Sequence, residues 1–167
     1  RSDDAAVEQW CQAHLNAERE VLQSVFATVL QRTNPKTALA QLSSLQTAEQ
    51  PQFIQFLIAY LHGILLNRAS RRTRAMASFL AAENLAEREN QPIWRIEVLL
   101  ERSTLFAWMG QTLAATDDLM LAIALLASVD YPEAQQASWS KLGQINWERN
   151  DYQKALAFFS LAMEQGQ

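Results

Sequence analysis

A repeat of 40 residues runs through most of this chain. Three alanines, Ala75, Ala115 and Ala155, lie 40 residues apart. A bulky apolar residue follows each of them four positions later, a second alanine follows seven positions later, and a Gly or Ser precedes it by twelve positions. The three units of this template read Gly63, Ala75, Phe79 and Ala82; Ser103, Ala115, Leu119 and Ala122; and Gly143, Ala155, Phe159 and Ala162. A repeat of this length predicts an array of similar units that bury their apolar faces against each other.

Three prolines divide the chain at the same interval. Pro51, Pro92 and Pro132 each precede an apolar pattern typical of a helix, and proline is tolerated in the first turn of a helix. Small residues on one helix that face large residues on the next allow two backbones to approach closely. We therefore predict three helical hairpins, with helices at 51–68 and 71–88, at 92–109 and 112–128, and at 132–149 and 151–165.

The composition favours an all-α fold. The 167 residues include only four prolines and four glycines, and Ala, Leu, Gln and Glu are frequent, as in helices. Residues 1–48 are expected to form divergent N-terminal helices, with a break at Asn34-Pro35, and to precede repeats at 51–88, 92–128 and 132–165. The chain is thus predicted to be one domain of three to four repeats. Because it opens with Arg1, we expect it to be a piece of a longer protein.

The third unit resembles the tetratricopeptide repeat family. The residues that carry this resemblance are Trp139, Leu142, Gly143, Asn150, Asp151, Tyr152, Ala155, Phe159 and Ala162. Asn146 stands where the family has an aromatic residue, and Asn150 stands where it has a turn glycine, although Asn tolerates the left-handed conformation. The family repeat has about 34 residues, so this chain is closer to the long repeats of bacterial regulators related to the maltose activator. The resemblance covers about residues 51–165.

The resemblance implies a right-handed superhelical stack whose first helices line a concave groove. It also implies an interaction module that binds a peptide or another protein in that groove, within a bacterial regulatory or signalling protein. The groove positions are Tyr60, Asn67, Arg68, Glu97, Thr104, Trp108, Lys141, Gln144 and Trp147. Aromatic and hydrogen-bonding side chains of this kind are enriched in interface hot spots. The alternative is that Trp108 and Trp147 pack as ordinary core between neighbouring hairpins.

A cluster of arginines lies at the predicted turn of the first hairpin. Arg68, Arg71, Arg72 and Arg74 fall within seven residues of an otherwise acidic chain. Guanidinium groups bind carboxylates and phosphates through paired hydrogen bonds, so this cluster is a candidate site for an acidic peptide, a phosphate or a nucleotide. The alternative is a solvated turn whose arginines form weak local ion pairs.

Several other functions are disfavoured. The net charge of −4 opposes binding to nucleic acid or to an anionic membrane, and the apolar run at 53–66 is too short to cross a bilayer. Cys11 and His14 are two ligands, too few for a metal site. Asp117 and Asp118 are expected on a helix surface, and no catalytic set or phosphate-binding loop is evident. We expect no enzyme activity, no cofactor and no metal, and a cytoplasmic location.

Three hypotheses about function remain. The first is the peptide-binding or protein-binding module already described. The second is a small-molecule-sensing regulatory domain that controls an attached output domain. The third is a structural spacer that self-associates through its C-terminal helix, where Phe158, Phe159 and Met163 lie.

Overall fold

The computed structural model of the protein describes residues 52–165, and the helices expected within residues 1–48 lie outside this range. The described residues form α-helices joined by short turns, and they contain no strand. The helices are α1 (Gln52–Arg68), α2 (Arg72–Arg88), α3 (Pro92–Trp108), α4 (Thr112–Leu126), α5 (Pro132–Glu148) and α6 (Tyr152–Gln165). The predicted all-α class is confirmed.

The helices pair as three hairpins that stack in sequence. α1 packs on α2, α3 on α4, and α5 on α6, while α2 and α4 also contact the first helix of the next hairpin. Pro92 and Pro132 are the first residues of α3 and α5, as predicted. The predicted helix limits agree with the structure within two residues, and the largest difference is at α4, which ends at Leu126.

The two helices of a hairpin approach closely at the small residues of the repeat. A Cβ atom built on Gly63 would lie 2.6 Å from the ring of Phe79, and one built on Gly143 would lie equally close to Phe159. The alanines at the start of the template, Ala75, Ala115 and Ala155, are fully buried. The predicted packing of small residues against large ones is confirmed in the first and third hairpins.

The first helix of every hairpin ends in the same way. Ser70, Gly110 and Asn150, again 40 residues apart, have positive φ angles of 59°, 74° and 62°. The next amide N–H in each turn donates to a carbonyl five residues back, as in the bond of 2.9 Å from Asp151 to Asn146. This left-handed residue with its closing hydrogen bond is a common way to end a helix. The left-handed conformation allowed for Asn150 is confirmed.

The core continues through the stack by way of α3. One cluster joins α1 and α2 to Trp94 and Val98, and the ring of Trp94 stacks on Phe56 at 4.8 Å. A second cluster joins Ile96 and Leu99 to α4 and α5. α3 therefore contributes buried residues to both clusters. Between residues 52 and 165, no helix has the length and apolar character needed to cross a membrane.

Candidate interaction site

The first helices of the three hairpins lie side by side along one side of the stack. α1 contacts α3 and α3 contacts α5, whereas the second helices of neighbouring hairpins make no comparable contact within the described part of the chain. Two hydrogen bonds show the register. Tyr60 Oη donates to Glu97 Oε2 at 3.1 Å, and Lys141 Nζ donates to Thr104 Oγ1 at 2.5 Å, and each joins residues 37 positions apart. The first helices therefore run parallel, and their side of the stack is the more closely packed.

A buried acid–phenol cluster joins the hairpins on this side. Glu97 accepts hydrogen bonds from Tyr60 and, at 2.5 Å, from the hydroxyl of Tyr131, which lies just before α5. Tyr60 is only 4% exposed, and burial, together with the nearby charge of Glu97, raises its pKa well above the ordinary value. Tyr131 was not predicted from the sequence, because it lies between two helical patterns. These side chains hold neighbouring hairpins together.

Three more of the predicted groove residues are also at least partly buried. Thr104 and Lys141 bond to each other between α3 and α5. Asn67 is buried near the end of α1, and its Oδ1 atom has no hydrogen-bond partner among the described residues. Five of the nine predicted positions, with Tyr60 and Glu97, thus lie within the packed stack and are not freely available to a ligand.

The remaining predicted groove residues are exposed. Arg68, Trp108 and Trp147 lie at the C-terminal ends of their helices, and Gln144 lies one turn before Trp147 on α5. Trp108 is 59% exposed and Trp147 is 53% exposed, so the alternative that they pack as core is wrong. The indole of Trp147 is held edge-to-face against the ring of Tyr152 at 4.8 Å. The exposed part of the predicted site is therefore concentrated where first helices end.

The arginine cluster is also exposed. Arg68 ends α1, Arg71 lies at the N-cap position of α2, and Arg72 and Arg74 are in its first turn. All four side chains are exposed, and none has an ion pair or side-chain hydrogen bond with another described residue. The structure places them together, as predicted, and the choice between anion binding and a solvated turn remains open on these contacts alone.

A buried ion network between the hairpins was not predicted. Arg102 on α3 donates to both carboxylate oxygens of Asp118 on α4, at 2.7 and 2.8 Å, and also contacts Glu83 on α2. Arg95 bonds to the same Glu83 at 3.3 Å. The hydrogen bonds from Asp118 are the main reason that the pKa of Arg102 is raised. The expectation that Asp118 lies on a helix surface is wrong, because the side chain is buried to satisfy Arg102.

The repeat offers a signal for this network. Residues 40 positions before Arg102 and Asp118 are His62 and Ser78, and these also face each other, with His62 Nδ1 and Ser78 Oγ 3.3 Å apart. Burial lowers the pKa of His62. In the described part of the chain, no group of three or more His, Cys, Asp or Glu side chains is placed to hold a metal ion, while Cys11 and His14 lie outside it. The charged residues at Arg102 thus satisfy one another.

Comparisons of the chain with models of known protein families, with curated proteins and with solved structures found no match. The resemblance to tetratricopeptide repeats consequently rests on the residues quoted for it, and membership of that family stays a prediction. The same is true of the right-handed superhelical twist. The hairpin stack itself does not depend on either.

Proposed function

We propose that this chain is a tetratricopeptide-type interaction domain that binds a peptide or a partner protein along the side formed by its first helices. One observation carries the proposal. Trp108 and Trp147, at the ends of two adjacent first helices, are both more than half exposed. Tryptophan offers a large, rigid contact area and is strongly enriched among the residues that dominate binding energy.

The stack supports these two side chains on a rigid frame. Their helices pack directly on each other, and packed helices lie about 8–10 Å apart. The bond between Lys141 and Thr104 keeps the two helices in register. A partner that presents two apolar groups at a similar separation would find both indoles already in place, which lowers the entropic cost of binding.

The proposal also includes the setting of the domain. The length of the repeat supports a binding arm of a bacterial regulatory or signalling protein, by resemblance to long-repeat regulators. In such a protein the domain would recruit or sense a partner in the cytoplasm while another region produces the output. This part depends on the resemblance alone.

The test begins with the full 167-residue chain immobilised on a support and incubated with a lysate of its source cells. A captured partner is then purified, and its Kd is measured for the wild type, Trp108→Ala, Trp147→Ala and the double variant. Each single substitution should weaken binding by about tenfold or more, as expected for a hot-spot tryptophan. Thermal unfolding of each variant shows whether the stack is intact.

Met120→Ala is the matched control. Met120 is an apolar side chain on the second helix α4, and it is 50% exposed, close to the exposure of Trp147. Its removal should leave the Kd unchanged. A double tryptophan variant that is folded and binds the partner as tightly as the wild type would contradict the proposed binding side.

A further inference from the structure

The turns within the three hairpins lie along one edge of the stack. Because α1, α3 and α5 run parallel and nearly in register, their C-terminal ends point in the same direction. The residues that follow these ends, 68–74, 108–113 and 147–152, are named the turn edge. With about 8–10 Å between packed helices, the turn edge extends over roughly 20 Å.

The chemistry of the turn edge changes from one hairpin to the next. The first turn carries the four exposed arginines. The second turn carries exposed apolar side chains, with Trp108 59% exposed and Leu113 72% exposed, and Met109 beside them. The third turn carries Trp147 and Tyr152 together with the acidic residues Glu148 and Asp151. A basic segment therefore lies directly beside an apolar one.

The arginines of the first turn do not help the helix on which they lie. Arg71 and Arg72 are at the N-terminal end of α2, where the helix dipole favours negative charge. The third hairpin has Asp151 at the position that corresponds to Arg71, and its carboxylate accepts the backbone N–H of Lys154 at 3.4 Å. Folding would thus favour an acidic residue where the first hairpin has an arginine, so a role in binding accounts for the basic cluster better.

We propose that the turn edge binds an acidic segment of a partner protein that also carries apolar side chains. Carboxylates of the segment pair with Arg71, Arg72 and their neighbours, and its apolar side chains cover Trp108 and Leu113. The inference rests on the proposed function and names the chemistry of the partner. A helical segment that spans roughly 20 Å needs about 13 residues, at 1.5 Å per residue.

An acidic protein segment fits this edge better than a nucleic acid does. A polyphosphate that followed the edge past the second turn would meet Glu148 and Asp151 on a chain of net charge −4. Met109 and Leu113 provide aliphatic contacts, whereas single-stranded nucleic acids depend on aromatic stacking platforms. Charge and apolar contacts together therefore favour a peptide whose acidic part precedes or follows a short apolar part.

The experiment uses the full chain and synthetic fluorescein-labelled peptides of about 14 residues, close to the span of the edge. The first peptide has Glu in one half and Leu and Phe in the other. One comparison peptide has Lys in place of Glu, a second has Ser in place of Leu and Phe, and the third probe is a single-stranded oligothymidine of similar length. Fluorescence anisotropy at low salt should show the first peptide binding about tenfold more tightly than the other three, with the difference reduced by added salt.

Two substitutions on the same helix provide a matched pair. Arg72→Glu and Arg88→Glu change the net charge equally, but Arg72 begins α2 on the turn edge and Arg88 ends α2 at the opposite side. Arg72→Glu should weaken the first peptide about tenfold and at the same time raise the Tm, since it places an acidic residue at a helix N-terminus. Arg88→Glu should leave the affinity unchanged.

The proposal is overturned if the first peptide binds no better than its Lys counterpart, if the oligothymidine binds more tightly, or if Arg88→Glu weakens binding as much as Arg72→Glu. These results can be separated from failure of the proposed function. If a captured partner loses affinity for the Trp108→Ala chain but not for the Arg72→Glu chain, the interaction function stands and the acidic chemistry assigned to its partner is wrong.

Discussion

At the scale of single residues, one position in each hairpin determines how the chain turns. Ser70, Gly110 and Asn150 all adopt the left-handed conformation, although only glycine does so without steric cost. Asn is tolerated there more readily than Ser. The three hairpins therefore use the same backbone turn at different energetic costs, and the first hairpin has the least favourable residue.

Ser70→Gly should stabilise the protein by about 1 kcal/mol, because the left-handed strain at this turn is larger than the entropy that glycine adds to the unfolded chain. Asn150→Gly is the matched control and should have a smaller effect. Urea unfolding of both variants gives the two free energies. A Ser70→Gly variant that is no more stable than the wild type would show that the turn is not strained at this position.

Residue-scale prediction from sequence succeeded where the chemistry is local. The left-handed Asn150 follows from what an Asn side chain tolerates, and the helix starts at Pro92 and Pro132 follow from the fixed φ of proline. The partners of Glu97 and Arg102 could not be predicted in this way. Their hydrogen bonds join different hairpins, so they depend on the register of stacking, which no single segment determines.

At the scale of the helices, the contact between the two members of a hairpin depends on complementary sizes. Gly63 meets Phe79 and Gly143 meets Phe159, while the middle hairpin has Ser103 and Leu119 at the corresponding positions. Ser103 is buried and donates to the Leu100 carbonyl at 2.7 Å. A slightly larger residue on one helix is thus matched by a smaller one on the other.

Gly63→Ser should destabilise the protein by about 2 kcal/mol, because its Cβ would overlap the fully buried ring of Phe79. Adding Phe79→Leu, which reproduces the middle hairpin, should recover part of this loss and give a favourable coupling energy in a double-mutant cycle. The free energies come from urea unfolding.

Gly143→Ser provides the comparison for that cycle. The ring of Phe159 is only partly buried, so it can move aside, and the cost of Gly143→Ser should be smaller than that of Gly63→Ser. Equal costs at the two glycines, or strictly additive effects of Gly63→Ser and Phe79→Leu, would be inconsistent with this account of the hairpin contact.

At the scale of the whole molecule, α3 is the element on which the stack depends. It contributes to both core clusters, and it carries Glu97 and Arg102, whose bonds reach the other hairpins. It also carries Trp108 at its exposed end. The helix that holds the hairpins together therefore also presents a side chain of the proposed binding surface.

The candidate site was only partly predictable from the sequence. The repeat identified which helices come first in each hairpin, and thus which side Trp108 and Trp147 belong to. It did not separate these exposed residues from Tyr60 and Lys141, which bond to neighbouring hairpins. The difference arises because a polar residue in the middle of a first helix meets the next helix, whereas a residue at its end meets solvent.

The most direct test of the proposed binding side is an NMR titration of the full chain, labelled with ¹⁵N at the tryptophan indoles, with the captured partner. The chain has five tryptophans, and Trp94 is a buried internal reference. The account predicts that the indole signals of Trp108 and Trp147 shift on binding while that of Trp94 stays in place. A saturating partner that shifts neither exposed indole would contradict it.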